Sequence, residues 1–324
     1  TERTNFPATI WRLFKRKLHS YRSIKRDACT FRDILKQHRI NSVIISTPII
    51  YYLMELYRMK GFSTIIFLHN LNRWISTKKY KVSVITLLIN RRFLKKVSCI
   101  YVLQDYLRDF VKNNSKIPCN VFPFKLSDKE TIEKRKKILS GDTRPKFVIP
   151  GTVEIKRKQY KWVFEEMAKI EEDFQIVLLG RVVDKETIEF AKGKLGNKVK
   201  YFDGYIPEEV FLEEMINSHA IIANCNMNLP YGIYKASGVE FDGPVFGVPI
   251  IIENGLLSQN KNAMFLRFSD LFQFRTRVEK IIRSVNSGSY LEEFFEPAAK
   301  IALSYDKKIW EKKFLFEISE FIHK

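Results

Sequence analysis

A chain of 324 residues exceeds one ordinary domain, so two domains of roughly 150 residues are the expectation. Its composition is 45% hydrophobic, 14% aromatic and 28% charged, which excludes wholesale disorder and supplies apolar material for two cores. The formal charge of +20 is uneven: residues 1–122 carry 24 Lys and Arg against 6 Asp and Glu, the remaining 202 residues 32 against 30. The first half is therefore suited to an anionic partner: nucleic acid, a membrane surface or a phosphorylated substrate.

No apolar run reaches the roughly 18 residues that span a bilayer, and the opening TERTNFPATIWRLFKRK lacks the pattern of a secretory signal. Cys29, Cys99, Cys119 and Cys225 lie far apart with no CxxC. That spacing argues against a disulfide framework or a zinc site and for buried reduced thiols in the cytoplasm.

In chain order, Phe6, Ile10, Leu13, Phe14, Leu18 and Tyr21 recur at helical spacing with basic residues between them, which predicts an amphipathic helix over 6–26. A second helix is expected over 30–39, then a strand at NSVIIST (41–47) and a helix through YYLMELYR. STIIFLHN (63–70) reads as a strand, 82–95 as a helix, SCIYVLQ (98–104) as a strand, DYLRDFVKN as a helix and NVFPF (120–124) as a strand. The charged stretch 127–146 reads as a connector. Alternation then resumes: strand FVIPG (147–151), helix 160–171, strand QIVLLGR (175–181), helix 184–194, strand VKYFDGYI (199–206), helix EEVFLEEMINS, strand HAIIANC (219–225), a helix starting near Ser237, and strand VPIIIE (248–253). Helices over 270–287 and 305–323 close the chain. Such alternation predicts two α/β domains with parallel sheets, over 1–125 and 126–304, with the terminal segment 305–324 returning to the first.

Ligands of open α/β sheets bind at the carboxyl ends of the strands. In the second half those positions hold Gly151 followed by Lys156, Arg157 and Lys158, then Gly180 with Arg181, Gly204 with Tyr205, Asn224, Asn226 and Asn254. Glycines there admit a ligand close to the backbone, and the basic residues suit a diphosphate. The same residues also fit plain turns with a solvated cationic loop. The stretch YKASGVEFDGPVFGVPIII (234–252) places a helix start at Ser237-Gly238, where free amides and a partial positive charge favour phosphate. Lys235 adds a charge, and Asp242, about a turn further on, is an acceptor for a ribose diol. Ser237 equally fits a simple helix cap and Asp242 a support for the first turns.

In this order the residues resemble the nucleotide-sugar signature of retaining glycosyltransferases of family four and related bacterial polysaccharide sugar transferases. Asp242, seven residues before Pro249, matches the ribose-binding acid of that family, while Tyr234 stands where the family has its other Glu. PGTVEIKRKQY resembles the segment whose Arg and Lys grip the diphosphate, matching Arg157 and Lys158. QIVLLGR and VKYFDGYIPEEVFLEEM resemble the strand and base-contacting turn that follow. The resemblance covers about 147–255 and extends weakly to the first half, where no opening strand and glycine loop precede Asn41.

It implies the B-type glycosyltransferase fold, two Rossmann-like domains facing a central cleft. It also implies metal-independent, retaining transfer from a nucleoside-diphosphate sugar to a glycan acceptor, with no cofactor; the basic first half adds the expectation of a polyprenyl-phosphate-linked acceptor held in an anionic membrane. His69, at the end of its strand, corresponds to the group facing the transferred sugar; Gly151, Gly180, Tyr205, Tyr234, Lys235, Ser237, Gly238 and Asp242 fall to the donor. The basic groups at 6–26, Lys78-Lys79-Lys81 and Arg91-Arg92-Lys95-Lys96 suggest peripheral docking on the anionic inner face of a membrane. A noncatalytic nucleic-acid-binding protein and a sugar-nucleotide epimerase are the alternatives. No nucleic-acid-reading motif is present, and a dehydrogenase is disfavoured by the lack of GxGxxG.

Overall fold

Strands covered by helices on both faces need apolar side chains on both, and the strand segments of this chain are near-continuous Ile, Val, Leu and Phe. The computed structural model describes residues 29–30, 32–37, 42–45, 63–71, 74, 93–141, 143–226, 231–233, 235–257 and 264–322. The expected helices at 6–26 and 51–58 and most of 82–95 lie outside them. The chain divides into two compact units, Thr1–Val121 with Glu317–Lys324, and Phe122–Phe316.

In the first unit, β1 (Ser42–Ile45), β2 (Ser63–Leu68), β3 (Cys99–Val102) and β4 (Cys119–Val121) form a parallel sheet in the order β1-β2-β3-β4. Helix α1 (Asp105–Asn114) lies between β3 and β4 and buries Leu107 and Val111. Tyr101 Oη and Asn120 Nδ2 both donate to Glu317 Oε2, at 2.9 and 3.1 Å. Cys99 and Cys119 are free and buried, and burial pushes both thiols up to about 12.

The second unit begins with α2 (Lys129–Leu139), inside the stretch expected to be a connector. Its apolar face is thin, which hid the period: Ile132 and Leu139 are buried, and between them so is Arg135. That guanidinium donates to the carbonyls of Met215 and Ile216 and to Tyr290 Oη, so a charge occupies a core position. Asp128 caps the helix by accepting from the Glu130 amide.

Six parallel strands follow: β5 (Lys146–Pro150), β6 (Gln175–Leu179), β7 (Val199–Tyr201), β8 (Ala220–Ala223), β9 (Ile250–Glu253) and β10 (Phe265–Phe268). Their order is β10-β9-β8-β5-β6-β7. The sheet grows outward in both directions from the β5–β8 pair, in register Phe147↔Ala220 and Val148↔Ile221. Helices α3 (Tyr160–Met167), α4 (Lys185–Leu195), α5 (Glu208–Ile216) and α6 (Val239–Phe246) connect successive strands. Helix α7 (Leu271–Ser287) follows β10. A π-turn at Leu291–Phe295, α8 (Glu296–Leu303) and α9 (Lys307–Ile322) complete the described chain, α9 crossing from one unit to the other after Phe316.

One core packs around Phe147, Phe164, Phe174 and Phe274, another around Val148, Val177, Ile221 and Ile250. Strand β10 and the segment 291–303 were absent from the sequence expectation. Among the described residues no helix is long and apolar enough to cross a membrane.

Candidate functional site

The point where a doubly wound sheet reverses its growth leaves a crevice between two neighbouring loops that run to opposite faces. In the second unit that point lies at the carboxyl ends of β5 and β8. The loop after β5 is fixed there on both sides. The Gly151 amide donates to Leu179 O at 2.9 Å and Val153 pairs with Val182, which holds it to the end of β6. Lys158 bridges to Cys225, while the Gln159 amide donates to Asn224 O at 2.8 Å and that of Asn226 to Arg157 O at 2.9 Å, which holds it to the end of β8.

Two glycines make this path available. Gly151 has φ +89, in the region that L side chains rarely adopt. Gly180 lies beneath it: a Cβ there would fall 2.2 Å from Gly151 O. Gly180 is buried and thus shapes the loop by its close approach, without lining the hollow that the loop borders.

The result is a hollow of about 240 Å³ lined by Lys125, Gly151, Arg157, Lys158, Ser237 and Asp242, with Phe211, Cys225 and Tyr231 at its sides. Lys158 turns its ammonium back onto the strand end, where Pro150 O and Gly151 O accept from Nζ. Burial lowers its pKa from 10.5 to about 8, so it remains largely charged at neutral pH. Arg157 is exposed and donates to Tyr231 Oη at 3.0 Å, which raises its pKa further.

Across the hollow is the start of α6. Its cap is Gly238, within the expected Ser237-Gly238 start, and Ser237 and Glu240 make half of a capping box: the Ser237 amide donates to Glu240 Oε1 at 2.7 Å. The first-turn amides of a helix lack intrahelical acceptors and carry the positive end of its dipole. Asp242, 5% exposed, accepts from Lys125 Nζ. Burial holds its carboxyl above the usual carboxylate range against the opposing pull of Lys125.

Of the expected site residues, Gly151, Arg157, Lys158, Ser237, Gly238 and Asp242 meet in one hollow. Of the described residues of the second unit, Tyr205 and Lys235 are not part of that lining. Tyr205 is 86% exposed on the loop after β7, and Lys235 spends its charge on the Tyr231 ring, 5.0 Å from its centroid. Tyr234 lies outside the described residues. His69 is half-buried just after β2 in the first unit. Lys125, Tyr231 and Glu240 were not anticipated. Two of them carried a signal: Lys125 directly follows the strand-like NVFPF, and Ser237-x-x-Glu240 has capping-box spacing.

A larger hollow of about 810 Å³ opens on the other side of Lys158, against α3 and α4. Glu165 and Glu186 face it alongside Lys161, so it lacks the converging positive charge of the smaller one. Among the described residues, no three His, Cys, Asp or Glu side chains gather as a metal-binding group.

No protein-family model matches the sequence, and no curated protein matches it. Solved structures do. A glycosyltransferase from Rickettsia africae superposes with a TM-score of 0.67 at 14% identity, over 92% of this chain and 81% of that one. Anabaena HepE, solved with UDP, gives 0.65 at 10% identity over 90% and 82%. The pneumococcal O-GlcNAc transferase GtfA, solved with UDP and GlcNAc, gives 0.58 at 14% over 91% and 60%. The fold is that of the B-type glycosyltransferases. At these identities the likeness extends to the backbone; membership of family four, which the motifs resemble, has no support from sequence matching.

Proposed function

We propose that this chain transfers a sugar from a nucleoside-diphosphate sugar to a glycan or polyprenyl-phosphate-linked acceptor. The observation that carries this reading is the convergence of Lys158, Arg157 and the amide-rich start of α6 on the β5–β8 switch point. A diphosphate seated there meets two cations and a helix dipole, and Asp242 lies one turn away for the ribose. As the glycosidic bond to the diphosphate breaks, negative charge grows on the leaving oxygen. Fixed cations that strengthen their hold at that moment lower the barrier. In this scheme Lys158 and Arg157 do the work that a metal ion does in other transferases, and configuration is retained, as the sequence resemblance implies. His69 contributes to turnover and not to donor binding.

The basic balance of residues 1–122 supports a second part of the proposal, docking at an anionic membrane that holds the acceptor. HepE and GtfA were solved with UDP, so UDP is the first probe. Calorimetry with UDP, GDP and ADP is expected to find one that binds, and a panel of the matching nucleotide sugars to find one that turns over. Lys158→Ala removes a charge-assisted contact worth about 1.5–3 kcal/mol, a loss of roughly 10- to 150-fold in affinity. Asp242→Ala gives a smaller loss, confined to nucleotides with an intact ribose diol. Failure of every nucleotide to bind rejects the proposal; interconversion of sugar nucleotides without an acceptor identifies an epimerase.

A further inference from the structure

A third cation lines the hollow. Lys125 lies in the segment between β4 and α2, and its Nζ donates to Asp242 Oδ1. Around it is the ring of Phe211, 5.2 Å from Nζ, and no second carboxylate among the described residues. The pair is unequal: the Asp242 side chain is 7% exposed and that of Lys125 35%. A carboxylate so buried needs a counter-ion, and breaking such a pair strands its charge. The lysine can swing on its stem, whereas Lys158 is tied to two carbonyls. Asp242 Oδ2 makes no hydrogen bond among the described residues and lies toward Gly238, where an added Cβ would be 3.8 Å from it.

We propose that Lys125 is a switching cation of this site. In the free protein it neutralises Asp242; when a nucleoside diphosphate binds, it moves to the diphosphate and leaves Asp242 to the ribose hydroxyls. The charge count favours this. A nucleoside diphosphate carries roughly three negative charges above its last phosphate pKa of about 6, and Arg157 with Lys158 supplies two positive ones. The hydroxyls of the ribose donate to the carboxylate in place of the ammonium, so Asp242 is not left unpaired. The exchange selects ligands that bring both a diphosphate and a ribose diol. It rests on the nucleotide-binding reading above and adds to it a residue and an order of events.

The test is calorimetry with UDP, or with GDP or ADP if the wild-type chain prefers one of them, on Lys125→Met, Asp242→Asn and the double variant, repeated with the 2′,3′-dideoxy nucleotide. Lys125→Met is expected to weaken binding about tenfold or more, by at least that factor in the Asp242→Asn background, where no carboxylate competes for the ammonium, and by clearly less for the dideoxy nucleotide, which cannot release the ammonium from Asp242; Lys125→Arg restores most of it. Should Lys125→Met fail to fold because Asp242 is stranded, the double variant against Asp242→Asn gives the same reading. An unchanged affinity, or a loss that disappears in the Asp242→Asn background, overturns the proposal and reduces Lys125 to a prop for Asp242; an equal loss with the dideoxy nucleotide overturns the exchange and leaves Lys125 a fixed phosphate contact. Absence of any nucleotide binding to the wild-type chain overturns the nucleotide-site reading, and this with it.

Discussion

The two sheets differ in a way that separates charge from site. The first unit holds most of the net positive charge, yet its described strands run β1-β2-β3-β4 without a reversal. The second unit is nearly neutral in total. Its order β10-β9-β8-β5-β6-β7 reverses at β5–β8, and there Lys125, Arg157 and Lys158 meet in one hollow. Total charge thus does not say where charges gather, whereas strand order decides where a few of them converge.

Several measurements break or sharpen this contrast. The largest effect is expected from Gly180→Ala. Its Cβ would sit 2.2 Å from Gly151 O and 2.8 Å from the Thr152 amide, so the loop that carries Lys158 must move. Overpacking of this kind costs about 1–3 kcal/mol or more, and nucleotide binding should fall below detection. Gly204→Ala, with nothing within 4 Å of the new methyl, is the control and should leave both stability and binding unchanged in a melt and a titration.

Next is the pH dependence of binding. The Lys158 ammonium is lost in the free protein as pH rises through about 8, so nucleotide affinity should fall above that pH, and the slope should vanish in Lys158→Met. The same depressed pKa has the opposite consequence for folding. Between about 8 and 10.5 the unfolded chain holds the proton that the folded one has released, so this group makes stability rise with pH there.

His219 gives a further acid-side test. Burial lowers its pKa from 6.5 to about 3, and its Nδ1 accepts from the Lys146 amide at 3.0 Å. Below pH 6.5 the unfolded chain binds a proton that the folded one refuses, so stability should decline from pH 6.5 toward 3. Urea midpoints at pH 7 and pH 5 should draw together in His219→Gln. The smallest effect on nucleotide binding is expected from Lys95→Glu, at an exposed position in the first unit. Affinity for UDP should stay within about twofold, whereas retention on anionic vesicles should drop.

Much of the second sheet was readable because parallel strands advertise themselves as unbroken apolar runs: FVI, QIVLL, AIIA and III all became strands. Helix α2 was not, since a buried arginine occupies the place of an apolar residue, and no sequence rule foretells that the carbonyls of Met215 and Ile216 will receive it. Strand β10, FLRF, is short and carries an arginine whose guanidinium donates to the carbonyls of Leu256 and Leu257. At the site, Lys158 and Asp242 were legible from strand ends and spacing. The partner of Asp242 was not: Lys125 is 117 residues away in sequence, and only the folded unit pairs them. The reading of Gly180 as a donor residue rests on glycines following strands in such sites; its close approach to Gly151, which no sequence pattern shows, makes it a support of the loop.

The central claim is that a nucleoside diphosphate sits at the β5–β8 switch point. Hydrogen exchange of the whole chain with and without UDP, or whichever nucleotide calorimetry selects, tests it most directly. The account predicts slowed exchange in peptides covering 150–159 and 237–242, and no such change for Lys158→Met at the same nucleotide concentration. Protection confined to other segments, or an equal response from Lys158→Met, would contradict it.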